Sequence, residues 1–323
     1  MTLTRRRLLA ATPLLVAPGI ARAFPTRPIR LVVSSAPAAS LDTLARVVAP
    51  ALSARLGQPV VVENEGAASG LLAMQRVARA EPDGHTLLVT GDAIVLAELT
   101  LPQAGFTIRD SFAPVIQAVR AAQIFATHPG APFGDIQSYV ETVRARPGAL
   151  NVGLPSRGGI AHVVHELLGQ QLGGLSVEYI TYRGGGPATL DLVARNTDAL
   201  VITLPAITEQ VRQGAIVPLA VTTATRDPAL PQVPTLAETV AAGFDVESWQ
   251  GVLAPAGTPP AAVDRLYEAF GAALRDPAAQ GRLTSLGFEV VAAPPTEFRD
   301  RAEAASARFA DVILSAGLGA TGG

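Results

Sequence analysis

The 323-residue chain contains no cysteine, and none of its 25 basic residues is lysine. The first absence removes disulfides, thiolate metal sites and cysteine nucleophiles. The second removes a Schiff base to a cofactor, a phosphate-binding Walker lysine and a Ser-Lys dyad. Charged residues make up only 16% of the chain and aromatic residues 5%. So low a charge density, with abundant Ala, Val and Leu, fits parallel sheets covered by helices on both faces. The motifs G-x-S-x-G, G-x-G-x-x-G after the first strand, H-E-x-x-H and the EF-hand loop are also missing. Nothing in this inventory calls for a cofactor or a metal.

What is present begins with a tripartite export signal over residues 1–23. Arg5, Arg6 and Arg7 precede a short apolar stretch, Leu8 to Ile20, and Ala21-Arg22-Ala23 supplies a small-residue cleavage site. A membrane span needs about 20 apolar residues, and this run is shorter and broken by Pro13 and Pro18. Thr4-Arg5-Arg6-Arg7-Leu8-Leu9 also resembles the twin-arginine motif. Cleavage takes away four arginines, leaving 21 cations against 27 anions and a mature net charge near −6. An acidic protein of this kind is a poor nucleic-acid binder.

A mature chain of about 300 residues exceeds what one core carries, so two lobes are expected. The pattern after the signal alternates: strand 29–33, helix 44–56, strand 59–62, helix 71–80, strand 86–90. A second series follows, with short strands at 114–116 and 124–126, then helix 136–145, strand 150–153, helix 160–172 and strand 177–182. Helix 187–195, with Pro187 at its first position, strand 199–203, helix 207–213 and strand 217–222 complete it. Strand-helix alternation of this kind specifies parallel α/β units. A mostly helical tail from Ala261, packing back on the first lobe, makes two chain crossings between lobes. The predicted division is 24–124 plus 245–323 for lobe 1 and 125–244 for lobe 2.

Two strand-to-helix loops share one character. Ser34 to Asp42 joins the first strand to its helix, and Gly153 to His162 does the same in the other lobe. Small side chains let a ligand reach the backbone, and the first N–H groups of a helix have no internal partner, so each loop offers donors to an anion. A third, Tyr182-Arg183-Gly184-Gly185-Gly186-Pro187, opens another helix. Turns and caps use the same residue types for their own sake. Asp42 either orients ligand-bound water or complements the helix dipole, and Arg157 is either a carboxylate clamp or a solubilising cation. His162 and His165, at i and i+3 with Glu166, hint at a metal pair, with a helix-surface role as the plainer reading.

Several stretches in order resemble the Bug-type substrate-binding proteins of tripartite tricarboxylate transporters, from Phe24 to about Phe309. They include Pro28 to Val33, Asp42-Thr43-Leu44-Ala45-Arg46, Leu56 to Asn64, Pro82-Asp83-Gly84-His85-Thr86, Tyr182 to Ala188, Pro231 to Glu238, Ser248-Trp249-Gln250-Gly251 and Ala254 to Pro259. The resemblance implies a type II-like bilobal periplasmic binding fold of two α/β domains with two hinge crossings. It implies a carboxylate-bearing guest held between Ser35, Ala38, Ala39 and Asp42 on one side and Ser156, Gly158, His162, Tyr182, Gly184 and Thr203 on the other. Arg157 joins this set from the loop reading. The implied partners are a small organic anion and membrane permease subunits, with the receptor itself a monomer in the periplasm. The chain departs from the family pattern at Ala36-Pro37-Ala38-Ala39, where Pro-Ala-Gly-Gly is usual, and at Glu65 to Gly70. Alanine tolerates positive φ poorly, so the lost glycines bear on the loop's backbone angles. Two other functions fit the same residues: a sensing subunit for a membrane kinase, and a secreted hydrolase or isomerase using His162 with Ser156.

Overall fold

The computed structural model describes residues 24–101 and 104–318. The predicted export signal and the glycine-rich end, 319–323, lie outside the described residues. The first lobe opens with β1 (Ile29–Val33), α1 (Ser40–Leu56), β2 (Val60–Asn64), α2 (Leu71–Ala78), β3 (Thr86–Gly91) and α3 (Ala93–Thr100). β1 pairs in parallel with β2 and with β3. Leu31 and Val33 pack against Leu44 and Leu52 of α1, whereas Val32 faces the opposite layer with Met74 and Val77. Burial on both faces explains why Leu31 to Val33 read as a continuous apolar run after the exposed Arg30. Gly57 ends α1 at φ 67, its N–H bonded to Ser53 O.

The sequence pattern missed α3. Ile94, Val95, Leu96 and Ala97 are all buried, so the helix shows no polar stripe and no amphipathic period. α4 (Ile108–Ser111) then leads into β4, Phe112–Thr127. Two short strands were expected where one 16-residue strand runs. Gln117, Arg120 and Gln123 interrupt the apolar pattern, and β4 shifts register against its neighbour at Pro114/Ile116 and Gln117/Val119.

The second lobe follows as α5 (Ile136–Ala145), β5 (Asn151–Leu154), α6 (Ile160–Gln171), β6 (Glu178–Thr181), α7 (Gly185–Val193), β7 (Ala199–Thr203), α8 (Thr208–Arg212), β8 (Val217–Val221) and α9 (Leu236–Thr239). Pro187 lies in the third position of α7, not the first, still within the turn whose N–H groups lack intrahelical partners. β5 pairs in parallel with β6 and β7. The chain then returns through β9 (Glu247–Pro255), α10 (Pro260–Leu274), α11 (Pro277–Ser285), β10 (Glu289–Ala293) and α12 (Pro295–Ser315).

The strand order is β2-β1-β3-β9-β4-β7-β5-β6, with β8 and β10 also paired to β4. β4 belongs to both lobes: Phe112 to Ala122 pair with β9, and Gln123 to Thr127 pair with β7. The return crossing is tied to it by one buried hydroxyl. Thr222 Oγ1 accepts from Gln123 N at 2.9 Å and donates to Val246 O at 2.7 Å, while Val246 N donates to Thr222 O at 2.9 Å. α12 lies across the back, with Phe298 and Phe309 in a core that continues into Leu168 of α6.

Candidate functional site

The two small-residue loops have the same backbone. In the first, Ala38 takes φ 64 and Ala39, before the first residue of α1, takes φ −75, ψ 168. In the second, Gly158 takes φ 68 and Gly159, before α6, takes φ −78, ψ 173. The left-handed residue is braced from four positions along in both. Ala38 N donates to Asp42 Oδ2 at 2.8 Å, and Gly158 N donates to His162 Nδ1 at 3.1 Å. Ala38 thus adopts the left-handed angle despite its Cβ, at a cost of about 1–2 kcal/mol.

Neither turn caps its helix with a side chain, nor does Gly184 before α7. Four other helices differ, Thr107, Asp135, Thr235 and Asp276 each accepting N–H bonds from the helix they precede, while α2, α3, α8, α10 and α12 are uncapped as well. The uncapped ends of α1, α6 and α7 lie at the carboxyl edges of β1, β5 and β6, where the first amides of each helix and the positive end of its dipole are open to an anion.

Asp42 is buried and turned back on its own loop. Arg46 Nε donates to it at 3.0 Å, and Arg46 also reaches Asn64 Oδ1 at 3.0 Å, whose amide donates to Ser35 O at 3.3 Å. Burial pushes the Asp42 carboxyl up, but Arg46, the Ala38 N–H and Asn64 outweigh it and hold it below the usual carboxylate range.

His162 and His165 are buried, at 3% and 1% exposure, which corrects the helix-surface reading. Burial, then Arg157, takes His162 down to about 4. The neutral ring accepts Gly158 N–H on Nδ1, so its proton sits on Nε2, 3.8 Å from Glu166 Oε1. No lone pair remains for a general base, and the Ser156–His162 dyad has no chemistry to offer. His165 bridges Tyr139 OH and Tyr179 OH, each at 2.7 Å, and Tyr179 donates to Glu166 at 2.8 Å. Tyr179 spends its proton on Glu166, so His165 carries its own proton on Nδ1 and accepts from Tyr139.

The remaining candidates fall on the same edges. Ser156 is half-buried and Arg157 exposed in the α6 turn. Gly184 N donates to Pro155 O at 2.9 Å and joins the second and third loops. Tyr182 OH is committed to Asp191 at 2.8 Å, and burial followed by Asp191 pushes it up to about 12. Thr203 Oγ1 accepts from Gln123 Nε2 at 2.8 Å. Across the gap, a Cβ on Gly158 would stand 3.7 Å from the Thr100 methyl of α3, so the lobes meet there. Sequence reasoning missed Asp92, Ser248, Gln250 and Gln123. Asp92 directly after a strand and before an apolar run was the available signal, a helix-start residue.

Residues 44–318 match the tripartite tricarboxylate transporter family receptor. The chain belongs to that family. Protein BugT of Bordetella pertussis is 31% identical over 309 residues, covering 95% of this chain and 94% of BugT. The periplasmic binding protein BugD superposes with a TM-score of 0.86 at 31% identity, covering 92% of this chain and 99% of BugD. MatC from Rhodopseudomonas palustris, solved with bound malate, superposes at 0.84 and 30% identity, covering 90% and 100%. A second R. palustris protein, solved with adipate, gives 0.86 at 31%, covering 91% and 98%. The bilobal α/β fold with two hinge crossings is that of the receptor family, whose members are solute-binding proteins and not enzymes.

Proposed function

We propose that this receptor captures a small carboxylate-bearing metabolite between lobe 1, 24–124 plus 245–323, and lobe 2, 125–244, and delivers it to membrane permease subunits. The observation that carries the reading is the pair of matched, uncapped helix ends, one per lobe, each following the carboxyl end of a strand. A carboxylate accepts hydrogen bonds only, and these ends present donors with nothing else assigned to them. Ser35, Ala38, Ala39 and the first turn of α1 form one jaw. Ser156, Arg157, Gly158, Gly184 and Thr203 form the other. Asp42 and His162 act from behind, fixing the turns, and Tyr182 is fixed in turn by Asp191. Related receptors solved with malate and with adipate support a dicarboxylate-sized guest. Export by the signal at 1–23 would place the receptor, as a monomer, in the periplasm.

The test is a thermal-shift screen against di- and tricarboxylates, amino acids and aromatic acids, followed by calorimetry on the strongest response. Stoichiometric binding near micromolar, about −8 kcal/mol, is expected without turnover of the guest. A flat response across every anion, or release of a chemically altered product, would overturn the reading.

A further inference from the structure

The cleft edge of lobe 1 holds a carboxylate that the anion-binding turns do not explain. Asp92 sits between β3 and α3 and is 2% exposed. Its Oδ2 accepts from Ser248 Oγ at 2.5 Å and from Trp249 N at 3.2 Å, both on β9. Its Oδ1 is enclosed and has no partner among the described residues. Two amides nearby are in the same condition. Gln250, in register with Gly91, bonds Ser40 Oγ at 2.9 Å through one end of its amide, and the other end is unpaired. Gln123, at the crossing, bonds Thr203 through one end and leaves the other unpaired. Gln250 adjoins the first turn directly through Ser40. Ser34 Oγ donates to Thr90 Oγ1 at 2.9 Å, and Ser40 is the first residue of α1.

We propose that the guest carries an ammonium group beside its carboxylate, and that Asp92, flanked by Gln250, receives it, so that this receptor selects amino acids over their des-amino counterparts. The inference rests on the receptor reading above and adds the donor half of the guest. A buried carboxylate without a cation is costly to keep, and such groups collect where function needs them. Among the described residues no cation pairs with Asp92. The charged group acting on it is Glu247, whose own carboxylate is held by Arg120 at 3.0 Å and by Arg301 at 3.5 Å. Burial pushes Asp92 up to about 7, against the pull of Ser248 and the backbone. An ammonium on the unpaired oxygen supplies the missing charge where the low dielectric makes it strongest.

The test is calorimetry of the full mature chain at pH 8 with the common α-amino acids, each paired with the des-amino acid of the same carbon skeleton. Wild type is expected to bind the amino member of at least one pair ten-fold or more tightly than its twin. In Asp92→Asn that preference falls to near unity while the des-amino acid binds as before. The melting midpoint of ligand-free Asp92→Asn should also rise at pH 8. A carboxyl raised to about 7 stabilises the fold fully below the unfolded value near 4 and loses that contribution as pH rises through 7. Fluorescence of Trp249, the single tryptophan, gives an independent binding signal. Equal binding within every pair, or a preference that survives Asp92→Asn, overturns the ammonium site and leaves the receptor reading standing. Absence of binding by every acid in the panel overturns the ammonium site, and the receptor reading falls with it only where the wider anion screen is also flat.

Discussion

In lobe 1 the left-handed turn residue is Ala38 and the charged carboxylate of Asp42 holds its N–H; in lobe 2 it is Gly158, held by the neutral ring of His162. The φ values, 64 and 68, are nearly the same. One geometry is therefore reached by two routes. Glycine enters the left-handed region freely, and a weak neutral brace suffices. Alanine does not, and it comes with a charge-assisted bond that is itself tied down by Arg46 and Asn64. The lesson is that a lost glycine need not mean a lost turn when the brace is strong enough.

The largest way to break this comparison is Asp42→Ala. It leaves the Ala38 N–H unpaired and frees Arg46, and should cost about 2 kcal/mol of stability. Affinity for the guest should fall about ten-fold or more by calorimetry, because the jaw loses its shape. Unchanged binding would show that the turn holds without its brace.

Acid should separate the lobes next. His162 and His165 are held at about 4 and about 3, chiefly by burial. An unfolded histidine titrates near 6.5, so between 6.5 and 4 the unfolded chain binds more protons and stability falls as pH falls. Asp42, held low, contributes above the unfolded carboxyl value near 4 and loses that contribution only as pH falls through its lower folded value. Hydrogen exchange at pH 5 against pH 7, corrected for intrinsic rates, should therefore show α6 losing protection before α1. Simultaneous loss would remove the histidines as the cause.

The smallest effect sharpens the comparison most cleanly. Ala38→Gly should stabilise by up to about 1 kcal/mol, roughly 2 °C in melting midpoint. Gly158→Ala should cost about 1–2 kcal/mol through φ alone, because its Cβ would meet only the Thr100 methyl at an ordinary 3.7 Å. Opposite signs are expected in differential scanning calorimetry; equal signs would mean that packing and not backbone strain decides.

Much of the fold was legible because its central strands, such as β3, β7 and β9, are largely buried and its helices mostly carry an apolar stripe. The first and second loops were legible as strand-to-helix junctions rich in small residues. What stayed hidden has physical causes. The helix α3 is apolar except for Glu98 and Thr100 and so has no clear period. β4 carries Gln117, Arg120 and Gln123 in its interior where it passes from one sheet to the other, which split it into two in the sequence. The buried state of His162 and His165 depends on Tyr139 and Tyr179, which come from α5 and β6 and touch the histidines only once both lobe-2 elements are packed. Asp92 was missed because Ser248, its partner, lies 156 residues away.

The most direct test follows the backbone amides of Ser40, Leu41, Ile160 and Ala161 by nitrogen-proton correlation spectroscopy. They are tracked during titration with the tightest-binding carboxylate from the screen. If opposed helix ends close on one guest, all four resonances shift on a single saturation curve. Binding that moves the amides of one lobe only, or neither, would contradict a cleft built from two matched turns.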